Sequence, residues 1–407
     1  MKKLGLLYCL PLFLSAGNLP HLVELALKNP LVEASTYTLE ASKDRSASVS
    51  NGYMPSLTIG ANQSFNQEEM ATSPDKSTMG YAKLSYVIYD GGKRSALIDQ
   101  QEALVRSASY SLESVKNDVV LKVIYNYYAY LSTKANKEAI EQKLAQLSAE
   151  KYRLEKFLSV GSATADELQK ILSSMEQTKV QLLQSELSLR NIANTLEYLS
   201  SQKVEVEAGS TLTLPQEQEK QRFDILALEA AAKSAKYQAD VAKAPSLPTV
   251  TIDDTYSRFN YDYNNKANDA GYDRQNTLAL NVQWKIFDFG STKAAYESAY
   301  KEYLAKQSQL SYEKNKAKAN LSSANNGYEI ALKKVESSQA RLKAATMTYE
   351  LIQKKFQNGI VNNVAFLDAL SDKYSAMSEL QTSIYDVEYQ KAVVLFEMGT
   401  EIKGAIQ

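Results

Sequence analysis

Residue types that commonly perform catalytic or metal chemistry are scarce in this chain. Its 407 residues include one Cys, Cys9, and one His, His21. This composition argues against a zinc site, a disulfide framework and any catalytic triad that needs both residue types. The segment Gly91-Gly92-Lys93-Arg94 is not a phosphate-binding loop, because Val87 stands where that motif has its first glycine. We therefore predict that the protein is not an enzyme and has no cofactor and no metal.

Charge and composition exclude further classes of function. The 46 basic residues are balanced by 47 acidic residues, so the chain lacks the basic surface that nucleic-acid binding requires. Gly (15) and Pro (8) are scarce for this length, which favours long uninterrupted helices over a loop-rich enzyme fold. The 27 Tyr against 10 Phe and one Trp indicate amphipathic aromatic surfaces.

The N-terminal segment has the pattern of an export signal. Met1-Lys2-Lys3 precedes an apolar run from Leu4 to Leu14, and Ser15-Ala16-Gly17 follows the run. A positive start, a short apolar stretch and small residues at its end are typical of a signal peptide. We predict cleavage near Gly17, with a buried N-terminal helix as the alternative. No later segment is apolar for 18 residues, so no membrane-spanning helix is expected.

Landmarks in the first half of the chain recur in the second half. Asp90-Gly91-Gly92 is matched by Asp288-Phe289-Gly290, and the segment 156–161 is matched by 354–359, both 198 residues later. Such matched spacings predict an internal two-fold repeat. The predicted organisation is a signal peptide at 1–17, a first repeat at 18–209 and a second repeat at 210–407.

Each repeat is predicted to contain long helices. The segment 93–160 has no Gly or Pro, and 291–358 has only Gly327. From Tyr296 to Phe356, apolar residues recur at alternating four- and three-residue steps, with few exceptions. This 3.5-residue period predicts coiled-coil packing. The predicted long helices are 93–160, 163–200, 291–358 and 363–399, and shorter leading helices are predicted at about 21–51 and 217–244.

Two pairs of strands distinguish a membrane protein from a fibrous coiled coil. The predicted strands are about 53–65, 79–89, 248–260 and 277–287. In the last of these, Leu278, Leu280 and Val282 alternate with polar residues. Alternating strands of about 11 residues are typical of an outer-membrane β-barrel. The polar connections at about 66–78 and 261–276 are typical of its extracellular loops.

Four strands cannot close a barrel. Open sheet edges are not tolerated in hydrocarbon, so membrane-spanning strands would have to be pooled between subunits. Two chains would supply about eight strands and three chains about twelve, both even numbers as such barrels require. The residues alone leave the number of subunits open.

The sequence resembles the TolC-like outer-membrane efflux protein family over essentially all of the chain after the signal peptide. The resemblance is carried by the duplicated strand–strand–helix unit, the corners Tyr89-Asp90-Gly91-Gly92 and Phe287-Asp288-Phe289-Gly290, and the segment 356–369. That segment is similar to the family's aromatic-x-x-Gly turn and the helix start that follows it. The resemblance implies an α+β membrane protein, a homotrimer. Its 12-stranded β-barrel, with four strands per chain, would be continuous with a long antiparallel α-helical coiled-coil barrel.

The resemblance also implies a function, a location and partners. The protein would be a passive exit duct of a tripartite efflux pump or a type I secretion system. It would lie in the outer membrane, with its helical domain in the periplasm. The implied partners are a periplasmic adaptor (membrane fusion) protein, an inner-membrane pump and outer-membrane lipid. The transported substrate stays open between drugs and polypeptides.

Two turns would form the periplasmic tip by this resemblance. Gly161 and Gly359 would lie where the tunnel narrows and where the adaptor docks. Asp368 would line the closed constriction. The companion family aspartate is Ala365 here, and the basic residue that holds some members closed is Val361.

Asp166 and Glu167 follow Gly161 and are expected to supply the missing negative charge. A carboxylate near a threefold axis becomes a ring of three, which attracts cations and resists anions. The alternative for Asp166, Glu167 and Asp368 is ordinary helix capping, because the N-terminal end of a helix favours carboxylates. The two roles are compatible.

A second class of function is also consistent with the helices. The chain would then be a soluble periplasmic coiled-coil adaptor or structural interaction protein, and its strands would form a small sheet. Membrane partition of an oligomer would separate this alternative from the membrane channel.

Overall fold

The computed structural model describes residues 15–68, 70, 74–214, 220–264 and 272–407. In this part of the chain the helices are α1 (Leu19–Ala26), α2 (Pro30–Asn51), α3 (Lys93–Ser159), α4 (Ala165–Ser200), α5 (Phe223–Lys243), α6 (Ser291–Gln357) and α7 (Asn363–Glu397). The strands are β1 (Ser15–Gly17), β2 (Ser56–Phe65), β3 (Lys76–Tyr89), β4 (Val204–Val206), β5 (Thr249–Asp262) and β6 (Arg274–Gln283). Most of the predicted signal peptide, residues 1–14, and parts of both predicted extracellular loops lie outside the described residues.

Helices and strands of the first half have counterparts in the second half. Helices α3 and α6 each have 67 residues, and α6 begins 198 residues after α3. The start of α7 follows that of α4 by the same interval, as the start of β6 follows that of β3. The spacing of the sequence landmarks is therefore also the spacing of the elements.

The expected single leading helix at 21–51 is wrong, because the structure divides it into α1 and α2. Asn29 precedes Pro30, and its side chain accepts a hydrogen bond of 3.0 Å from the backbone N–H of Val32. The Asn29 amide also donates to the carbonyl of Leu199 at 3.2 Å. Proline suits the first position of a helix and disfavours a helical conformation in the residue before it. The chain therefore begins a new helix at Pro30.

The chain forms two compact units. One contains residues 15–34, 112–223 and 315–407, and the other contains 35–111 and 224–314. In the first unit β1 pairs with β4 in parallel, and Leu212 pairs with Ile406 in an antiparallel bridge. Nearby, the buried Tyr127 hydroxyl donates to the carbonyl of Glu207 at 2.7 Å.

The second unit contains a four-stranded antiparallel sheet with the order β2-β3-β5-β6. Its register is continuous except for an irregularity between Val87 and Tyr89 in β3. Side chains alternate between the two faces of a sheet. One face carries Leu57, Leu84 and Leu278 at matched positions, and these side chains are exposed. Among the described residues, no helix combines the length and apolar character needed to cross a membrane.

Aspartates hold both corners between a strand and a long helix. The Asp90 carboxylate accepts from the backbone N–H of Arg94 at 2.8 Å, and the Asp288 carboxylate accepts from that of Thr292 at 2.9 Å. These bonds satisfy N–H groups that the first turn of a helix leaves without partners. Hydrogen bonding to Thr292 also holds the pKa of Asp288 below its usual value. At the second corner Phe289 has a positive φ of 53° where the first corner has Gly91.

Candidate functional site: the turns at Gly161 and Gly359

The two turns after α3 and α6 have the same backbone geometry. Gly161 has φ +76° and Gly359 has φ +71°. In each turn, the residue after the glycine donates its backbone N–H to a carbonyl five residues earlier, at 2.8 Å for Ser162 and 2.9 Å for Ile360. This is the helix-ending motif that places a residue with positive φ just beyond the helix, and glycine adopts that conformation without strain. A Cβ atom added at either glycine would have no neighbour within 4 Å, so both turns are open to a partner.

The helices after the turns begin with side-chain caps. Thr164 and Glu167 form a capping box, in which the N–H of Thr164 donates to the Glu167 carboxylate at 3.0 Å and the N–H of Glu167 donates to the Thr164 hydroxyl at 3.3 Å. The side chain of Asn362 accepts from the N–H of Ala365 at 3.0 Å. Capping explains why polar residues follow both glycines at a short interval.

The structure brings the starts of α4 and α7 into contact. The amide of Asn363 donates a hydrogen bond of 2.9 Å to the backbone carbonyl of Glu167. Asn363 is only 2% exposed, and its Oδ1 atom has no hydrogen-bond partner among the described residues. The two turns therefore lie side by side at one end of this unit.

An aromatic core supports the two turns. Phe356 and Phe366 stack with ring centroids 4.8 Å apart, and Tyr349 lies 6.2 Å from Phe366. The buried residues of this cluster are Ala139, Leu147, Leu154, Ile171, Tyr349, Phe356, Phe366, Ala369, Leu370 and Tyr374. They come from α3, α4, α6 and α7, so all four helices are held together beside the turns.

The three predicted acidic residues lie in different environments. Asp166 is exposed and forms an ion pair of 2.6 Å with Lys170. Glu167 belongs to the capping box. Asp368 is exposed and lies beyond the first turn of α7, where capping groups act; it makes no ion pair among the described residues. The capping alternative therefore describes Glu167, whereas Asp368 keeps a carboxylate that no cation neutralises within the chain.

Asp372 was not predicted and extends the acidic surface that begins at Asp368. It lies four residues after Asp368 in α7 and is also exposed. Residues four apart share one face of a helix. This spacing is visible in the sequence and is the signal that would have identified Asp372.

Arg153 is a second residue that the sequence did not indicate. Its guanidinium lies 4.7 Å from the ring centroid of Phe356 and 5.1 Å from that of Phe157. It also donates two hydrogen bonds to Glu150 Oε1, at 2.9 and 2.6 Å. Val361, which stands where some family members have a basic residue, is partly buried and packs on the aromatic core. The cation beside the turn of α6 therefore comes from α3.

A polar cavity of about 700 Å³ lies between α3, α4 and α7 in the same unit. Across it, the side chain of Ser378 donates to Asn136 at 2.6 Å, and Lys143 Nζ donates to the hydroxyl of Ser371 at 3.2 Å. Burial lowers the pKa of Lys143. The lining has hydroxyl and amide groups suited to holding water or a polar segment. Among the described residues, no group of three or more His, Cys, Asp or Glu side chains is placed to bind a metal.

Comparison with known proteins agrees with this geometry. The model of the outer membrane efflux protein family matches residues 22–201 and 214–392. The chain is 21% identical to outer membrane protein TolC of Vibrio cholerae over 95% of this chain and 93% of that protein.

Solved structures show the same fold. The outer membrane protein VceC of Vibrio cholerae matches 94% of this chain and 96% of its own, with a TM-score of 0.84 and 16% identity. The CmeC outer membrane channel of Campylobacter jejuni matches 94% of this chain and 85% of its own, with a TM-score of 0.83 and 16% identity. Because the family model covers most of both halves of the sequence, the chain belongs to the outer membrane efflux protein family.

Proposed function

We propose that this protein is the exit duct of a tripartite efflux pump or a type I secretion system, and that it conducts substrates passively. Membership of its family makes it an outer-membrane efflux protein rather than an enzyme, and does not favour the soluble alternative. The observation that carries the proposal is the four-stranded sheet, which has an exposed apolar face and two unpaired edges.

The two faces of the sheet suit different solvents. On one face Leu57, Ile59 and Leu278 are 67%, 79% and 70% exposed. On the other face Asp253 forms an ion pair of 3.3 Å with Lys83 and accepts a hydrogen bond of 2.9 Å from Asn281. Burial of apolar surface away from water is favourable by about 25 cal/mol per Å². The apolar face therefore favours contact with lipid, and the polar face favours a water-filled lumen.

The sheet edges support a closed oligomer. Strands β2 and β6 each have one side without a partner in the chain. Pairing β6 of one subunit with β2 of the next would remove every edge. We infer a homotrimer with a 12-stranded barrel, continuous with an antiparallel α-helical coiled-coil barrel formed by the long helices.

An internal duplication and an export signal complete the proposed organisation. The equal lengths of α3 and α6, and their interval of 198 residues, support repeats at 18–209 and 210–407. We propose that residues 1–17 are a signal peptide. Because Ser15–Gly17 pair with Val204–Val206, N-terminal sequencing of the exported protein would establish whether this strand is kept after cleavage.

The turns at Gly161 and Gly359 are proposed to form the periplasmic tip. A periplasmic adaptor (membrane fusion) protein would dock there and connect the duct to an inner-membrane pump. Asp368 is the proposed constriction carboxylate, because it is exposed and unneutralised. Asp166 and Glu167 would contribute less to the field of the pore, because one is ion-paired and the other caps α4.

Conductance tests this function. Protein purified from outer membranes should insert into planar lipid bilayers and give discrete cation-preferring channels. A deletion strain should also become more sensitive to exported compounds or lose secreted polypeptides, and the phenotype identifies the pathway. A purified protein that never conducts ions and does not partition into membranes would contradict the proposal.

A further inference from the structure

Two arginines lie directly opposite each other on the apolar face of the sheet. In the pairing of β5 with β6, Arg258 is matched with Arg274. The same register matches Ile252 with Leu280 and Val250 with Val282. Since side chains two residues apart in a strand share a face, both arginines project from the face that carries these apolar side chains. Both arginines are exposed.

No carboxylate neutralises this pair. Within the described residues neither Arg258 nor Arg274 forms an ion pair. Like charges directly opposite each other in a sheet are destabilising. By contrast, Lys76 on the same face lies directly opposite Asp262 in the pairing of β3 with β5. An anion from outside the chain would relieve the repulsion between the two guanidinium groups.

The sheet leaves room for such an anion beside the arginines. The residue opposite Arg258 on β3 is Gly80, and the residue opposite Gly80 on β2 is Ala61. A Cβ atom added at Gly80 would have no neighbour within 4 Å. This row across the sheet therefore has two positions with little or no side chain next to two arginines, which forms an open shelf of backbone.

The arginines lie at the outer limit of the apolar band. Strand β5 follows α5 and the short helical turn at Ala244–Ser246, so its later residues lie further from the helices. Ten residues separate Arg274 from Trp284, whose indole donates to the Ser246 carbonyl at 3.1 Å near the helical end of the sheet. At about 3.4 Å per residue and a tilt of about 45°, ten residues span about 24 Å. That height equals the apolar thickness of an outer-membrane barrel, so Arg274 reaches the head groups of the outer leaflet.

We propose that Arg258 and Arg274 bind a phosphate group of the phosphorylated glycolipid that forms the outer leaflet. Guanidinium groups bind phosphate through paired charge-assisted hydrogen bonds. The head group would rest on the shelf at Gly80, and the acyl chains would lie along Leu84, Leu278 and Leu280. This inference rests on the proposed function, because it requires the apolar face to contact lipid.

The test measures glycolipid retained by purified protein. Wild type and R258Q/R274Q would be delipidated in mild detergent and incubated with bisphosphorylated lipid A, with the same lipid after removal of its phosphates, and with inorganic phosphate. Bound lipid per chain would be counted by native mass spectrometry. The control K76Q/K293Q also removes two exposed positive charges, but at positions that have a carboxylate opposite or nearby.

Wild type and the control should retain the bisphosphorylated lipid, and R258Q/R274Q should retain roughly tenfold less, as expected for the loss of charge-assisted hydrogen bonds. Removal of the phosphates should reduce retention by wild type to the level of the double variant. Equal retention by all three proteins, or equal retention of both lipids by wild type, would show that the arginines are only interfacial anchors. Displacement of the lipid by millimolar inorganic phosphate would show a site for any small anion and would overturn the proposal of a lipid site.

Channel recordings on the same samples separate this inference from the proposed function. If the wild-type oligomer conducts ions but all variants bind the glycolipid equally, the lipid site is wrong and the channel stands. If the wild-type protein is neither oligomeric nor conducting, both proposals fail together.

Discussion

Asn363 of α7 donates its side-chain amide to the backbone carbonyl of Glu167 in α4, at 2.9 Å. These residues are 196 positions apart in the chain, and each lies at the start of the helix that follows one of the two glycine turns. The bond is buried, so it joins the two turns through a contact that water does not replace. If these turns form the closed end of a tunnel, this hydrogen bond is part of what holds it closed.

Replacing Asn363 with alanine should loosen the tip. Loss of a buried hydrogen bond that leaves one partner unsatisfied costs about 1–3 kcal/mol, and this cost is reduced here because the unpaired Oδ1 atom is also removed. We expect a small change in overall stability but a larger single-channel conductance. The control is N358A, because Asn358 is exposed in the same turn. Unchanged conductance of N363A would show that this bond does not restrict the pore.

Replacing Asp368 with asparagine should reduce cation selectivity. In a trimer the change removes three negative charges near the axis, and a ring of carboxylates favours cations. The reversal potential across a salt gradient should therefore shift toward that of an unselective pore. D166N should shift it less, because Lys170 already neutralises Asp166 at 2.6 Å. If D368N keeps the wild-type reversal potential, Asp368 does not line the pore.

A bulky residue at Gly359 should block export while the oligomer stays intact. The position has φ +71° and open space around the position of a Cβ atom, so a tryptophan there would project outward at a conformational cost of about 1–2 kcal/mol. The readout is substrate export in cells, together with the amount of oligomer in the membrane. G209W is the matched control, because Gly209 also has positive φ and open space but lies outside the turns. Full export by G359W would exclude the turn as the docking site.

Replacing Arg153 with glutamine should weaken the contact between α3 and the turn of α6. The change removes the cation over Phe356 and leaves Glu150, which is 9% exposed, without its partner. Loss of the cation–π contact and of a partly buried ion pair predicts a decrease of about 1–3 kcal/mol in the free energy of unfolding.

The control for Arg153 is the exposed ion pair nearby. Lys151 pairs with Glu155 at 3.4 Å on the surface, so K151Q should change stability by less than about 1 kcal/mol. Thermal unfolding of the detergent-solubilised protein measures both variants. Equal melting temperatures for R153Q and K151Q would contradict a structural role for Arg153.

Lys143 should give the protein an alkaline pH dependence. Burial lowers the pKa of Lys143 from its usual value of 10.5, so the folded chain releases this proton at lower pH than the unfolded chain does. Between the lowered pKa and 10.5 the unfolded state binds more protons, and stability rises with pH in that window. K143Q lacks the titrating group and should lose this rise. Melting temperatures of wild type and K143Q measured from neutral to alkaline pH should converge or cross, and parallel curves would contradict the prediction.

Local signals in the sequence predict most of the long elements. Helix α3 occupies Lys93–Ser159 against an expectation of 93–160, because neither Gly nor Pro interrupts it and because Asp90 caps its start. Strand ends are less predictable, since β6 ends at Gln283 although the alternating pattern continues to 287. The break before Pro30 was missed even though Asn-Pro favours a turn.

Contacts between distant segments could not be predicted. The pairing of β1 with β4 joins residues nearly 190 positions apart, and three-residue strands have no pattern of their own. Arg153 meets Phe356 only because α3 and α6 pack together, and nothing near either residue in the sequence indicates the other. The chemistry of Asp368 was inferred from family resemblance, whereas its lack of a partner became visible only in the structure.

The closed barrel requires three chains to pool their strands, and native mass spectrometry of protein extracted from outer membranes in mild detergent tests this most directly. We expect the mass of three mature chains, and we expect the complex to need detergent or lipid to stay in solution. A stable single chain that remains soluble without detergent would contradict the trimeric membrane channel.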